Sequence, residues 1–357
     1  MRILASLIVG FLGGGIFTLL HVPLSWMLGA MVSMFIAKKW GKIDLKWPPM
    51  LRNLALVIVG YSIGHSFSKR TVVEIFTQLP TMLLMTIFII VFSMGLAFII
   101  TKATGINLAS TITGSVPGGL SQMVVLGEEM KNVNLTVVTI LQVVRVLSVV
   151  CIVPFLVFSP LLGGEAANTS GVPPTDPASF RWGLLLFFAV AVITGLLAKK
   201  IRFPTPFLLG PILVIGGCMI GGAGVPDMPG VFIILAQLSL GIYFSFMLDI
   251  SPSRQLTAFI LWSVVTSIGL LAFSIGLSFL LSSWHHISFM TAFISLSPGG
   301  MAEMALLGHA VGADLSIITG YHLFRILFIL FLMPPALKVI FKLPYFKESD
   351  NSRRASS

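Results

Sequence analysis

The sequence predicts an all-α polytopic membrane protein built from two inverted repeats. Each repeat has about five transmembrane helices plus one helix that is broken or re-entrant at a Pro-Gly-Gly tripeptide, giving about ten spans. Three observations predict this: the composition, a doubled tripeptide and an odd number of spans per repeat. Of the 357 residues, 56% are hydrophobic and only 10% charged, with a mean hydropathy of +1.02. A soluble domain carries about 25% charged residues, so this chain is a membrane protein. The tripeptide occurs in "GSVPGGLSQMVVLG" (114–127) and again in "LSPGGMAEMALLG" (296–308).

The first repeat opens at "MRILASLIVGFLGGGIFTLLHVP", in which Arg2 before an apolar run resembles a secretory signal. It reads instead as the first span, because a counterpart stands deep in the chain. "HVPLSWMLGAM" matches "RFPTPFLLGPI", aligning Pro23 with Pro204 and Gly29 with Gly210, while Gly14 aligns with Gly195. Next, "YSIGHSFS" (61–68) matches "LSLGIYFS" (238–245). The two PGG segments follow, sharing Met123/Met304, Leu126/Leu307 and Gly127/Gly308. Last, "LTVVTILQVVRVL" (135–147) matches "LSIITGYHLFRIL" (315–327), which aligns Gln142 with His322 and Arg145 with Arg325. The chain is a tandem duplication.

Its organisation follows: residues 1–158 form the first membrane repeat, 159–181 an external polar linker, 182–341 the second repeat and 342–357 a cytoplasmic tail. Apolar runs long enough for roughly 30 Å of hydrocarbon lie at 3–20, 22–38, 50–67, 79–101 and 134–158, then at 182–198, 204–221, 231–248, 256–282 and 315–340. Each PGG segment sits between the fourth and fifth runs. Its arms are too short to span separately, so it forms either a re-entrant hairpin or one broken crossing helix. With ten spans, seventeen of the 22 Lys and Arg fall on one side, while Lys69, Arg70 and Arg181 fall on the other. Counting the PGG segments as crossings moves Lys131, the "KKIR" at 199–202 and Arg254 outside, against the positive-inside rule. The chain is expected to pass the membrane several times, with both termini cytoplasmic. Five spans per repeat make the repeats enter the membrane in opposite senses, as in many secondary transporters.

Proline removes a backbone donor and glycines release helical angles, so Pro117-Gly118-Gly119 and Pro298-Gly299-Gly300 end one helix and allow another to begin. In hydrocarbon the freed backbone groups must be buried in protein or face a wet cavity. The new helix N-termini offer N–H groups and a positive dipole end to an anion. Arg145 and Arg325 lie well inside apolar spans, where a charge needs a partner or a polar cavity. Either the two flank one pocket, or Arg325 pairs with Glu303 and Arg145 bonds carbonyls at a helix break. Glu303 stands where the first repeat has Gln122, and it is the candidate to carry a coupling proton or sodium ion. His322, one turn before Arg325, is either a cavity residue or plain packing. These residues, with the small anion they favour and the surrounding lipid, make the expected site. No resident cofactor or metal is expected, since no His, Cys or carboxylate cluster has ligand spacing, and Cys151 and Cys218 read as packing residues. A homodimer is compatible with the pattern.

The stretches "PGGLSQMVVLGEE", "SPGGMAEMALLGHAVGADLSIITGYHLFRILFILFLMPP" and "PTPFLLGP" resemble the duplicated membrane domain of the bacterial AbrB-type integral membrane protein family, over nearly the whole chain. Members carry labels such as ammonia monooxygenase or regulator of gene expression. The family is distantly similar to the cation/proton antiporter and anion transporter group, with its inverted repeats and broken helices. A copper oxygenase needs a ligand cluster and a DNA-binding regulator needs a basic soluble module, and the sequence offers neither. No nucleic-acid partner and no enzymatic activity are therefore expected. The expected function is secondary transport of a small organic anion bound near the membrane midplane. The alternative is a membrane sensor that affects gene expression indirectly.

Overall fold

The structure is a computed structural model that describes residues 2–22, 24–39, 45–118, 123, 126–127, 130, 133–159, 182–201, 203, 205–247 and 254–340. Gly119, Gln122, most of the 159–181 linker and the 342–357 tail lie outside the described residues. The described residues form thirteen α-helices and no strands. In the first repeat these are α1 (Arg2–Leu19), α2 (Ser25–Lys39), α3 (Pro49–His65), α4 (Lys69–Thr104), α5 (Leu108–Ser115) and α6 (Leu135–Val157). The second repeat holds α7 (Trp182–Lys200), α8 (Pro206–Ile220), α9 (Gly230–Met247), α10 (Arg254–His285), α11 (Phe289–Leu296), α12 (Met301–Ala310) and α13 (Leu315–Ile340).

All ten apolar runs became helices. Seven (α1, α4, α6, α7, α9, α10 and α13) are long and apolar enough to cross a membrane, which makes this a multi-pass membrane protein. The shorter three are α2, α3 and α8, with 15, 17 and 15 residues. Fifteen residues rise only about 22 Å. Matched short segments at the same place in both repeats are a known transporter feature. On α1 and α7, only 22% of the apolar window is buried. Leu4, Ile8, Phe11 and Leu12, and then Leu186, Ile193 and Leu197, point outward, as suits lipid contact.

The chain divides into two compact units. Unit 1 comprises residues 1–77, 151–251 and 301–319, and unit 2 comprises 78–150, 252–300 and 320–357. Each unit draws matching pieces from both repeats rather than coinciding with one. Unit 1 holds the first three helices of each repeat together with α12, and unit 2 holds most of the fourth and fifth helices with α5 and α11.

Within unit 1 the packing maps onto itself when the repeats are exchanged. Helix α2 packs on α1 and α9, while α8 packs on α7 and α3. Glycines make this possible. A Cβ on Gly29 would strike the backbone of Gly13 and Gly14, and one on Gly210 would strike Thr194 and Gly195. Likewise Gly60 lies against the Leu208 carbonyl and Gly241 against the Met27 carbonyl. That pairing corrects one sequence match. "YSIGHSFS" against "LSLGIYFS" aligns Gly64 with Gly241, but the packing makes Gly60 the equivalent, one helical turn earlier. Apolar similarity along a helix repeats every turn, so the motif slid without losing its pattern. The end of α3 is fixed by Tyr61, whose hydroxyl donates to the Pro226 carbonyl at 2.7 Å, and by His65 Nδ1, 3.2 Å from Asp227.

Within unit 2 the exchange is equally visible. The rings of Phe92 on α4 and Phe273 on α10, equivalent positions, stack with centroids 4.0 Å apart and planes at 8°. Asn107 caps α5 by accepting from the Ala109 N–H at 2.7 Å, and Ser288 caps α11 through the Thr291 N–H at 3.2 Å. Side-chain caps of this kind satisfy N–H groups that no helix turn can reach.

Candidate functional site

The site is built where α5 and α11 stop. A helix ends with four carbonyls that have no intrahelical partner, and burial makes each unpaired group costly. In the first repeat α5 ends at Ser115, and Val116, Pro117 and Gly118 lead away from it, all three buried. Arg145 arrives from α6. Its Nη1 donates to the Val116 carbonyl at 3.0 Å and its Nη2 to the Gly118 carbonyl at 3.1 Å. Gln142, one turn earlier, donates through Nε2 to the Gly114 and Val116 carbonyls at 3.0 and 2.8 Å, and accepts from Arg145 Nη2 at 2.7 Å. One amide and one guanidinium thus satisfy the open end of the helix.

The second repeat does the same with fewer parts. Arg325 Nη1 donates to the Ser297 carbonyl at 3.1 Å and to that of Leu296 at 3.4 Å, and Nη2 reaches the Gly299 carbonyl at 3.5 Å. Residues 116 and 118 correspond to 297 and 299, so the two clamps are equivalent. Arg145 and Arg325 are 5% and 4% exposed. The bonds are longer at Arg325, where the residue matching Gln142 is the fully buried His322.

The first break also touches the helix that serves the second. A Cβ on Gly118 would meet the Ile329 side chain at 3.2 Å, and Val116 shares a core with Ile112, Val138, Ile329 and Met333. Ile329 lies one turn beyond Arg325 on α13. The helix that clamps the second break therefore packs on the first.

Of the two sequence readings of the arginines, the structure gives Arg145 the role of bonding carbonyls at a helix break, and it gives Arg325 the same role. Glu303 belongs to unit 1, where it is buried at 7% exposure in the first turn of α12. A carboxylate there is favoured by the positive end of the helix, so this carboxylate stands where an anion would otherwise be welcome. Pro298, Gly299 and Gly300 form the described break before α12, whereas Gly119 and Gln122 fall outside the described residues. The two cysteines are free and half-buried.

Sequence reasoning missed Gln142 as a partner of the break, although a polar residue three positions before the arginine in both repeats was a visible signal. It also missed a polar recess in unit 2. This recess is small, with about 20 Å³ of space, and it is lined by Ser93, Ser115, Arg145, Ser263, Thr266 and Ser267 among apolar neighbours. Serines and threonines spaced one turn apart along α10 were its only trace in the sequence.

Comparison with known proteins agrees with the architecture. A profile of the family described as "Transition state regulatory protein AbrB" matches residues 26–341. A protein of Bacillus subtilis (strain 168), named "Uncharacterized protein YhjN", is 26% identical over 370 residues, covering 97% of this chain and 94% of its own. A protein of Escherichia coli (strain K12), named "Putative regulator AbrB", is 26% identical over 326 residues, covering 90% of this chain and 91% of its own.

Proposed function

The chain belongs to the AbrB family, and we propose that it is a secondary transporter of a small organic anion in a bacterial inner membrane. One observation carries this reading: both helix breaks are held open by buried arginines at equivalent positions. A mere kink needs no guanidinium. Maintaining two charged groups and two interrupted helices inside hydrocarbon is costly, and transporters use such breaks to expose backbone groups to a substrate.

In this reading the arginines set a positive potential and keep the carbonyls satisfied, so that the breaks stay open when no substrate is bound. Pro117-Gly118 and Pro298-Gly299-Gly300 supply the backbone that re-aims as the site opens to one side or the other. Glu303 carries the coupling proton or sodium ion, its charge favoured by the start of α12. No step requires a catalytic residue. The family description and the name of the Escherichia coli relative speak of regulation, and they favour a second reading, a sensor that binds the same anion without moving it.

Reconstitution separates the two. Purified protein in sealed liposomes, offered a panel of labelled small carboxylates, is expected to take up at least one of them. Arg325→Lys keeps the charge but loses the forked geometry that reaches two carbonyls at once, and it should reduce uptake about tenfold or more. Glu303→Gln should uncouple uptake from an imposed proton or sodium gradient. Saturable binding with no flux for any panel member would replace the transporter with the sensor.

A further inference from the structure

We propose that the protein holds one small anion, of the size of a halide or formate, in the unit 2 recess beside Arg145, and that the duplicated position beside Arg325 is filled. The inference stands whether or not the protein transports anything.

Among its described residues unit 2 contains no Asp or Glu, yet it buries two guanidinium groups. The hydrogen bonds of Arg145 go to two neutral carbonyls and an amide oxygen, which satisfy donors but supply no counter-charge. A buried charge without a counter-charge is expensive.

Among the described residues the Nε–H of Arg145 and the hydroxyl of Ser115 are buried without a hydrogen-bond partner, and both residues are among those that line the recess. Ser93, Ser263, Thr266 and Ser267, which also line the recess, place their hydroxyls against carbonyls of their own helices at 2.7–3.1 Å. A hydroxyl turns easily about its C–O bond, so these protons can swing inward to a ligand. A guanidinium N–H and several hydroxyls around one small space are a donor set for a compact anion.

The two repeats differ at this place. Helices α4 and α10 end at equivalent residues, Thr104 and His285, and Phe92 stacks on Phe273, so their register is fixed. In that register Ser263 and Thr266 correspond to Met82 and Met85, both fully buried, while Ser115 corresponds to Leu296 and Leu141 to Tyr321. Arg325 also has an Nε without a partner among the described residues, but four larger side chains occupy the positions that line the recess on the other side. Hydroxyls remain on the Arg325 side at Thr86, Ser274 and Tyr321, so the difference between the repeats is the bulk at these four positions together with the small hydroxyl residues that replace it at Ser115, Ser263 and Thr266. Simple tolerance of a packing void would not predict that pairing.

The test uses the full-length protein in detergent. Thermal unfolding is followed against chloride, bromide or formate, each compared with gluconate at the same ionic strength. Gluconate is too large for the recess, so the small anions should raise Tm in a saturable way and gluconate should not. The double variant Ser263→Met, Thr266→Met installs the residues of the other repeat, and it should weaken the apparent affinity at least about tenfold. Crystals grown in bromide provide a second readout that no variant can spoil. Anomalous scattering is expected beside Arg145 Nε and Ser115, with none beside Arg325. Equal stabilisation by gluconate, an unchanged affinity in a folded double variant, or bromide crystals without a peak at Arg145 would each overturn the proposal, the last leaving a recess that holds only water. Anion binding without liposome flux would sink the transport reading and keep this one, and flux with an empty recess would do the reverse.

Discussion

A methyl group added at Gly241 would run into the Met27 carbonyl oxygen, and one at Gly60 into that of Leu208. Both neighbours are helix backbone, which cannot swing aside as a flexible side chain can. Gly60→Ala and Gly241→Ala should therefore force α3 from α8, or α9 from α2, at a cost of about 1–3 kcal/mol. Gly15 is the control, because a Cβ there meets nothing within 4 Å. Gly15→Ala should be neutral or stabilising by up to about 1 kcal/mol, since alanine is the better helix former. Thermal unfolding of the three variants in one detergent checks the order. Equal loss at Gly15 and Gly241 would mean that the close approach does not limit packing. The equivalence of Gly60 and Gly241 also shows what a sequence hides. Two helices that are apolar all round align almost as well one turn out of register, and only the carbonyl each glycine touches chooses between the alignments.

At the scale of the helix, stability at the breaks depends on who satisfies the carbonyls after α5 and α11. Gln142 does three things at once: it serves the Gly114 and Val116 carbonyls and orients Arg145. Gln142→Leu keeps the bulk and removes the donors, which leaves the Gly114 carbonyl without its amide and Arg145 with only the Val116 and Gly118 carbonyls as acceptors. The expected loss is about 1–3 kcal/mol, read as a lower Tm of the purified protein. Gln142→Glu should also lower Tm, because its carboxylate accepts from Arg145 but would set an oxygen against the Gly114 and Val116 carbonyls in place of the amide donor. A Leu variant as stable as the native protein would show that water or a rearranged Arg145 replaces the amide. The tripeptides, both arginines and the existence of every long helix were legible in the sequence, since each is a local signal: a helix breaker, a charge in an apolar run, or a run of sufficient length. Which carbonyls are left open was not, because that depends on the residue at which α5 stops. The recess was less legible still. It is assembled from α4, α5, α6 and α10, and none of these carries more than a few of its polar residues.

At the scale of the molecule, the two repeats exchange helices rather than standing side by side. Unit 1 takes α1, α2 and α3 with α7, α8 and α9, and unit 2 takes most of α4 and α10 with α5 and α11. Even the turns are duplicated: Leu24 and Thr205 share left-handed φ values of 48° and 40°, and Gly105 and His286 share 71° and 51°. Non-glycine residues rarely adopt such angles, so their recurrence at equivalent places reflects one ancestral path of the chain. Where all five apolar runs of each repeat cross, equivalent residues face opposite sides of the membrane. Lys102 and Ser283 are such a pair, both exposed near the ends of α4 and α10. After removal of Cys151 and Cys218, Lys102→Cys should react with a membrane-impermeant maleimide only from the cytoplasmic side, and Ser283→Cys only from the outside. The test discriminates because a same-sense duplication would label both from one face, and a repeat with six crossings would do the same. Opposite labelling would place the two PGG breaks in mirrored senses within one membrane, which is the arrangement that an alternating site requires.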